Sequence, residues 1–167
     1  MRFPAGQARI YLLGLPEDER MPKARRTRTR SQDRDLQLIE AARSVLARRY
    51  RPRWHSVGAA IRGKSGRIYT AVNMNARYVG RVDVCAEAIA VGMAISAGEK
   101  GLDTVVAVQR GSRGSTNPRG RVVPPCGVCR EMFNDYAPKM TVLLPGPKGT
   151  VVRSRAEDLL PDRYVDP

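Results

Sequence analysis

The sequence predicts an α/β fold in which helices cover both faces of a β-sheet. Two observations lead to this prediction. Short runs of β-branched and small apolar residues alternate along the chain with segments whose apolar residues recur every three to four positions. Glycine and proline separate most of these segments, as expected where turns and loops join strands to helices. The 167 residues suffice for one such domain with its own hydrophobic core.

The first predicted element is an amphipathic helix. Ser31 or Asp33 can cap its amino end, and Pro52 cannot continue it beyond about Tyr50. Its apolar positions recur at helical spacing and predict the face that packs on the sheet. These positions are Leu36, Ile39, Ala42, Val45 and Leu46.

A hairpin, two further helices and two further strands follow. The turn at 64–66 joins the hairpin strands, and Gly98 ends the second helix because glycine readily adopts a positive φ. The predicted strands are 54–61, 67–72, 104–108 and 141–144, and the predicted helices are 84–97 and 126–136.

The amino-terminal segment differs from the rest of the chain. Five cations lie among the eight residues from Lys23 to Arg30, without apolar periodicity, which is typical of a disordered arm. We therefore divide the chain into a basic, disordered segment over 1–32 and a catalytic domain over 33–167.

Charge and hydropathy narrow the function classes. The net charge of +14 makes nucleic acid a partner to consider, but the basic residues are spread over the chain and only 5% of residues are aromatic. Nucleic acid is therefore possible but not favoured. No run approaches the roughly 18 to 20 apolar residues of a membrane span. The sequence predicts a cytoplasmic protein without a membrane partner.

Three cysteines suggest a metal site. Cys126-Gly-Val-Cys129 lies at the predicted start of a helix, where backbone amides stabilise thiolates. Alone, this pair is compatible with a redox site, half of a structural zinc site or two buried apolar residues. Cys85 supplies a third thiol at the start of another predicted helix. Three protein ligands with one open position are typical of catalytic zinc.

Glu87 is the predicted proton carrier of this site. It follows Cys85 by two residues, so its carboxylate lies close to a metal held by that thiol. Cys85-Ala-Glu87 and Pro125-Cys-Gly-Val-Cys129 together match the motif of zinc-dependent deaminases of nucleobases. The predicted reaction is hydrolytic: water adds at C4 of a cytosine-type ring, Glu87 transfers the protons, and ammonia leaves.

Over roughly residues 35 to 165 the sequence resembles the cytidine deaminase family, including its blasticidin-S deaminase branch. Beyond the cysteine motifs, the resemblance rests on Val57-Gly-Ala-Ala60, Gly66-Arg-Ile-Tyr-Thr70 and the ending Asp158-Leu-Leu-Pro161 with Tyr164. It implies a three-layer α/β/α fold with a five-stranded mixed sheet, a bound Zn²⁺, and a homotetramer with active sites near subunit interfaces.

The resemblance also suggests residues that contact the substrate. It implies that Asn73 contacts a sugar hydroxyl, although asparagine is also a common turn residue after a strand. Family members usually carry a ribose-binding glutamate two residues later, where this chain has Asn75. Ala86 and Pro125, within the motifs, and His55 complete the candidates. His55 is more readily interpreted as a packed residue than as a base, because Glu87 already fills that role.

The loop before Cys85 carries Arg77, Arg81 and Asp83. Such charges near a pocket entrance suit a phosphate or carboxylate on a modified substrate, although most loop charges are simply solvated.

The sequence thus predicts a zinc-dependent aminohydrolase acting on a free nucleoside or nucleoside derivative. Three alternatives stay open at this point. The first is deamination of a blasticidin-S-type antibiotic, favoured by Asn75 and the carboxy-terminal motif. The second is deamination of cytosine in nucleic acid. The third is a catalytically silent protein in which zinc only stabilises the fold.

Overall fold

A computed structural model of the chain describes residues 29–79, 82–111 and 119–164. Three α-helices and six strands lie in these ranges. The helices are α1 (Arg30–Arg49), α2 (Ala86–Ser96) and α3 (Gly127–Tyr136). The strands are β1 (Val57–Gly63), β2 (Ile68–Val72), β3 (Leu102–Gln109), β4 (Arg121–Val123), β5 (Thr141–Pro145) and β6 (Val151–Arg155).

The six strands form one mixed sheet. Its strand order is β2-β1-β3-β5-β6. The short strand β4 is not part of this order and pairs with β3. Only the β3–β5 pair is parallel, and the other pairs are antiparallel. The predicted α/β fold with a mixed sheet is therefore confirmed, with β4 added to the five strands that were expected.

Helices cover both faces of this sheet, which explains why the central strands are apolar at successive positions. On one face, Ala60, Val106 and Leu143 pack against α1. On the other face, Ala59 and Val105 belong to the cluster that holds α2 and α3. Because successive side chains of a strand point to opposite faces, β1 and β3 contribute to both clusters.

Close packing of α1 on the sheet depends on Gly58 in β1. A β-carbon at this position would lie 2.6 Å from the carbonyl oxygen of Ala42 and 2.8 Å from Cβ of Leu46. Real β-carbons do not approach other heavy atoms this closely. The missing side chain of Gly58 therefore allows the helix to lie directly on the strand.

The helix boundaries agree with the predicted ones within a few residues, with one error in the buried face of α1. Leu38 is fully buried there, whereas the predicted Leu36 is 41% exposed. Leu38 shares a helix face with Ala42 and Val45 at spacings of four and three residues, and Leu36 lies two positions away from it. Gly98 has a φ of +76° after α2, as predicted.

Two strands and one strand boundary differ from the predicted pattern. The segment 51–55 is a closed turn, so β1 begins at Val57 rather than at residue 54. β4 and β6 were not predicted from the residues. β4 has only three residues, and β6 is an exposed edge strand with two arginines. Neither strand contains the apolar alternation from which strands are predicted.

One end of the sheet assembles the loops that carry the predicted motifs. Val57 at the start of β1 pairs with Gln109 at the end of β3, and Gln109 pairs with Arg121 of β4. The amide of Asn73, which follows β2, donates to the carbonyl of Val57 at 3.0 Å.

None of the helices in the described ranges is long and apolar enough to cross a membrane. Residues 1–28 of the predicted arm, which was expected over 1–32, lie outside the described residues.

Candidate active site

Three thiols meet beside this end of the sheet. The Sγ atoms of Cys85, Cys126 and Cys129 all lie within 4.8 Å of one another. The Sγ atoms of Cys85 and Cys126 are 3.4 Å apart, and all three cysteines are free of disulfides. Cys85 is separated from the other two by more than 40 positions, so tertiary folding creates this cluster.

Two helix amino termini position the thiols. Cys85 is the N-cap residue of α2 and Cys126 is the N-cap residue of α3, both with extended backbone. The first amides of a helix have no acceptor within the helix, so these donors are available to the sulfurs of the cluster. The positive ends of both helix dipoles therefore favour negative charge on sulfur.

Burial and mutual repulsion act against thiolates in the protein alone. Burial raises the pKa of Cys85 to about 11 and also raises the pKa of Cys129, which has no exposed surface. Burial acts in the same direction on the pKa of Cys126. Hydrogen bonds from the Cys129 backbone amide and from the thiols of Cys85 and Cys129 outweigh burial, so the pKa of Cys126 is lowered. A divalent cation would be needed to hold all three sulfurs as thiolates.

The donor set fits a tetrahedral, thiophilic metal ion. Zinc–sulfur bonds of about 2.3 Å place neighbouring sulfurs just under 4 Å apart in a tetrahedron. The Cys85 and Cys126 sulfurs are slightly closer than that, at 3.4 Å, and no pair of the three sulfurs is more than 4.8 Å apart. All three potential ligands of this cluster are cysteines, with no histidine or carboxylate among them. Three ligands from the protein would leave one coordination position for water or substrate.

Glu87 lies in the first turn of α2, two residues after Cys85. Only 5% of its surface is exposed. Burial raises its pKa, and its own backbone amide opposes this effect as a hydrogen-bond donor. A buried carboxyl group beside the three sulfurs can bind and release protons without competition from bulk water.

A cavity of about 370 Å³ opens over the cluster and Glu87. Its size suits a small heterocycle with a substituent. The cavity combines apolar walls with a few polar groups and is lined, among others, by Val57, Asn73, Asn75, Cys85, Glu87 and Cys126. Gln109, Val123 and Pro124 line it too and were missed by the sequence analysis. They lie where β3 and β4 end, and only the fold brings these ends to the cavity.

Asn73 joins the loops around this cavity. Its Oδ1 accepts hydrogen bonds from the backbone amides of Ser56 and Val57, both at 2.8 Å. Its Nδ2 donates to Oδ1 of Asn75 at 2.7 Å and to the carbonyl of Trp54 at 3.3 Å. These four bonds use the hydrogen-bonding capacity of a primary amide. Asn73 therefore fixes the loop conformation, and its predicted contact with a sugar hydroxyl stays a prediction.

The other predicted substrate contacts differ in their placement. Ala86 lines the cavity although its own surface is fully buried. His55 and Pro125 are absent from the lining residues, and Pro124 lines the cavity instead. Nδ1 of His55 lies 2.7 Å from the carbonyl oxygen of Asn73 and must carry the proton, because a carbonyl only accepts. His55 therefore stabilises the loop at Asn73 through this hydrogen bond and does not line the cavity.

Arg130 connects the cysteine loop to the end of the chain. Its Nε donates to the carbonyl of Pro125 at 3.0 Å, and its Nη1 donates to the carbonyl of Leu159 at 3.2 Å. From the sequence, Arg130 was expected to offset the negative charge of the thiolates beside Cys129, and that role stays a prediction. Its guanidinium holds the backbone next to Cys126 in place.

Comparisons with known proteins agree with this geometry. The family model described as cytidine deaminase-like matches residues 24–123. A blasticidin-S deaminase from Bacillus cereus is 47% identical over 131 residues, which cover 78% of this chain and 92% of that protein.

Solved structures give the same result. A cytidine deaminase from Burkholderia pseudomallei is 28% identical, with a TM-score of 0.62 over 77% of this chain and 98% of its own. A cytidine deaminase from Mycobacterium tuberculosis is 27% identical, with a TM-score of 0.62 over 78% of this chain and 96% of its own. The resemblance inferred from the motifs is therefore confirmed.

Proposed function

Because the chain belongs to the cytidine deaminase-like family, we propose that it is a zinc-dependent hydrolase that deaminates the cytosine-type ring of a free nucleoside or nucleoside derivative. One observation carries the proposal. Three free thiols within 4.8 Å of one another and a buried carboxyl group meet at one cavity. Hydrolytic deamination requires a bound metal and a proton carrier at the same place.

Each of these residues has a distinct role in the proposal. Cys85, Cys126 and Cys129 hold Zn²⁺, and the two helix amino termini offset the negative charge of the thiolates. Zinc, when bound, supplies an activated water molecule for the attack at C4. Glu87 would take a proton from the attacking water and give it to the ring nitrogen next to C4, and would then move the proton of the hydroxyl group added at C4 to the departing amine. Water enters as reactant, and ammonia and a uracil-type ring leave as products.

The walls of the cavity would orient the ring. Val57 and Val123 supply apolar surface, and Asn75 supplies an amide at the polar side of the cavity. Asn75 Nδ2 already donates to the carbonyl of Arg53 at 3.4 Å, a long bond that a substrate oxygen can replace. We therefore expect Asn75 to contact the sugar or its substituent.

A blasticidin-S-type nucleoside antibiotic is the second candidate substrate. The identity of 47% to the Bacillus cereus protein, spread over 92% of its length, favours this candidate. Asn75 favours it too, because it replaces the acidic residue that the cytidine deaminase resemblance leads one to expect. The chemistry at C4 is the same for both substrates.

A substrate panel separates these candidates. We expect ammonia release from at least one of cytidine, deoxycytidine, cytosine and blasticidin S, and none from a short cytosine-containing single strand. Faster turnover of blasticidin S than of cytidine would select the antibiotic. Turnover of the single strand, with binding that weakens steeply as salt rises, would favour nucleic-acid deamination instead. Bound zinc without any turnover would favour a purely structural metal.

The assembly and the compartment belong to the same proposal. We expect a homotetramer in the cytoplasm, where reducing conditions keep the three cysteines free for metal. Large apolar side chains on the outer faces of α2 and α3 support subunit contacts, with Met93 46%, Ile95 44% and Val128 75% exposed. Light scattering on the zinc-loaded protein should give four times the mass of the chain, and a monomer would contradict this expectation.

A further inference from the structure

Basic and acidic residues are distributed unequally along the chain. No Asp or Glu occurs from residue 41 to 82 or from residue 104 to 130, although these two stretches contain half of the 30 lysines and arginines. Cations that gather on one surface without acids repel one another and attract an anionic partner. The position of the two stretches in the fold therefore indicates whether such a surface exists.

The fold brings the two stretches together at one end of the sheet. Val57 at the start of β1 pairs with Gln109 at the end of β3, and the amide of Arg110 donates to the carbonyl of Ser56 at 2.9 Å. The end of α1 lies at the same place, since the guanidinium carbon of Arg110 is 4.1 Å from the ring centroid of Tyr50. Four arginines, here called the arginine surface, meet at this end. They are the exposed Arg48 and Arg49 in the last turn of α1, the exposed Arg51 after it, and the half-buried Arg110 after β3.

The cations at the opposite end of the sheet lie beside acids. There Gly63 of β1 pairs with Leu102 of β3. Next to this pair, a carboxylate oxygen of Asp103 lies 3.3 Å from a guanidinium nitrogen of Arg34 and 3.9 Å from one of Arg62. The sheet thus separates neutralised cations at one end from the arginine surface at the other.

The arginine surface is not neutralised by the residues that the structure describes. Its four members form no ion pair with them. Glu40, the acid of α1 nearest to them in sequence, lies 3.3 Å from Nη2 of Arg119 instead. Nη1 of Arg48 donates to Oγ of Ser44 at 2.6 Å, and this neutral hydroxyl leaves the positive charge intact. The charges of the arginine surface are therefore available to an anion.

Two aromatic rings hold arginines of this surface in fixed planes. The guanidinium carbon of Arg51 lies 5.1 Å from the ring centroid of Trp54, and Arg110 lies over Tyr50 as described above. A guanidinium that stacks on a ring keeps its positive charge, and its edge N–H groups can still donate to phosphate oxygens in pairs. Unpaired bases stack on aromatic rings and on guanidinium planes. Phosphate binding and base stacking can thus occur on the same surface.

We propose that the arginine surface binds single-stranded nucleic acid, with its phosphates on the guanidinium groups and its unpaired bases on the arginine–aromatic pairs. The absence of lysine from these four positions favours nucleic acid over a membrane, because arginine binds phosphate in pairs of hydrogen bonds and also stacks. Membrane binding also uses apolar side chains that enter the bilayer. The exposed Met93 and Val128 lie on α2 and α3, at the other face of the sheet.

This binding is separate from the proposed deamination. None of the four arginines lines the cavity over the cysteines, and α1 packs on the opposite face of the sheet from α2 and α3. A strand is therefore expected to bind without being deaminated. From the sequence, nucleic acid is not favoured because the cations are spread along the chain. The fold changes that balance, because it gathers four of them at one place.

Fluorescence anisotropy with labelled oligo(U) and oligo(dT) strands tests the proposal on the full chain. Neither strand carries an amino group at C4, so their binding does not depend on deamination. We expect dissociation constants of about 10⁻⁶ to 10⁻⁴ M, with a log–log slope against salt of about −3 for four neutralised phosphates. A preference for one strand identifies the sugar. The emission of Trp54, the one tryptophan of the chain, should change on binding. Tighter binding of a duplex would contradict stacking of unpaired bases.

A charge-removing variant locates the binding. In Arg48→Gln/Arg49→Gln/Arg51→Gln the dissociation constant should rise about tenfold, and the salt slope should become shallower by about 2. The matched control removes three exposed cations outside this surface, by Lys64→Gln, Arg67→Gln and Lys148→Gln. It lowers the net charge equally and should bind the strands like the wild type. Both variants change exposed side chains, so their unfolding temperatures should stay close to that of the wild type.

Several results would overturn the proposal. The wild type would bind neither strand at low salt, or both triple variants would lose affinity equally, which would show that net charge alone attracts the strands. Unchanged binding in the arginine variant would assign the strands to another part of the chain. Co-sedimentation of the wild type with phosphatidylserine vesicles, without binding of either strand, would identify a membrane surface instead. Nucleoside deamination does not depend on any of these results, so the proposed function and the arginine surface can fail separately.

Discussion

Replacing Glu87 by glutamine is expected to abolish deamination while zinc stays bound. Glutamine has nearly the same size and keeps the buried position in the first turn of α2, but it cannot carry a proton. General acid–base catalysis by one side chain contributes about 10²- to 10⁴-fold. Because one carboxylate would serve several proton transfers in the proposed reaction, kcat should fall by at least about 10³-fold. Steady-state ammonia release, with zinc content measured on the same preparation, checks this expectation.

A matched control separates loss of the proton carrier from a general effect of losing a charge. Glu131 is an exposed acid on α3 that lies 3.6 Å from Arg163. Glu131→Gln makes the same chemical change at a residue that does not line the cavity and should leave kcat within a factor of two. Substantial activity in Glu87→Gln, with normal zinc content, would assign the proton transfers to another group.

Replacing Cys129 by serine is expected to release the metal and to eliminate activity with it. Serine is close in size, so the buried position between α2 and α3 stays filled, but its neutral hydroxyl is a poor zinc ligand. Loss of groups that merely support zinc ligands costs about 10- to 100-fold in affinity, and loss of a ligand should cost more. Zinc affinity should therefore fall by at least about 100-fold, as measured by competition with a chelating dye.

Two further variants separate loss of a zinc ligand from damage to the core and from the mere presence of a serine. Cys126→Ser changes an exposed residue and should also lose zinc, although it disturbs the core far less. Val128→Ser places the same serine between the two cysteines, at a side chain that is 75% exposed, and should keep its zinc. Full zinc occupancy in Cys129→Ser or Cys126→Ser would contradict the assignment of three cysteine ligands.

The sequence predicts the helices and central strands well because their signals are local. The apolar spacing of α1, the Gly98 stop after α2 and the continuous apolar run of β3 each follow from residues close together in the chain. β4 and β6 could not be predicted in this way. β4 exists because Ala107 to Gln109 of β3 offer it a pairing edge, and this edge is defined only in the folded sheet.

The candidate site shows the same distinction between local sequence signals and contacts that only the fold creates. Cys85, Glu87, Cys126 and Cys129 could be identified because two short motifs fix their spacing and residue types. The supporting bonds could not, because they join residues distant in sequence. Examples are Asn73, whose amide bonds to Ser56 and Val57, and Arg130, which reaches Leu159.

Isotope transfer from labelled water into the product is the sharpest test of hydrolytic deamination by this protein. Cytidine and blasticidin S would each be incubated with the zinc-loaded protein in water enriched in oxygen-18, and the products analysed by mass spectrometry. Hydrolytic deamination predicts a uracil-type product with one labelled oxygen on the ring, formed together with one ammonia and absent with Glu87→Gln. Unchanged substrates with the wild-type protein, or ammonia release without label in the ring, would contradict the account.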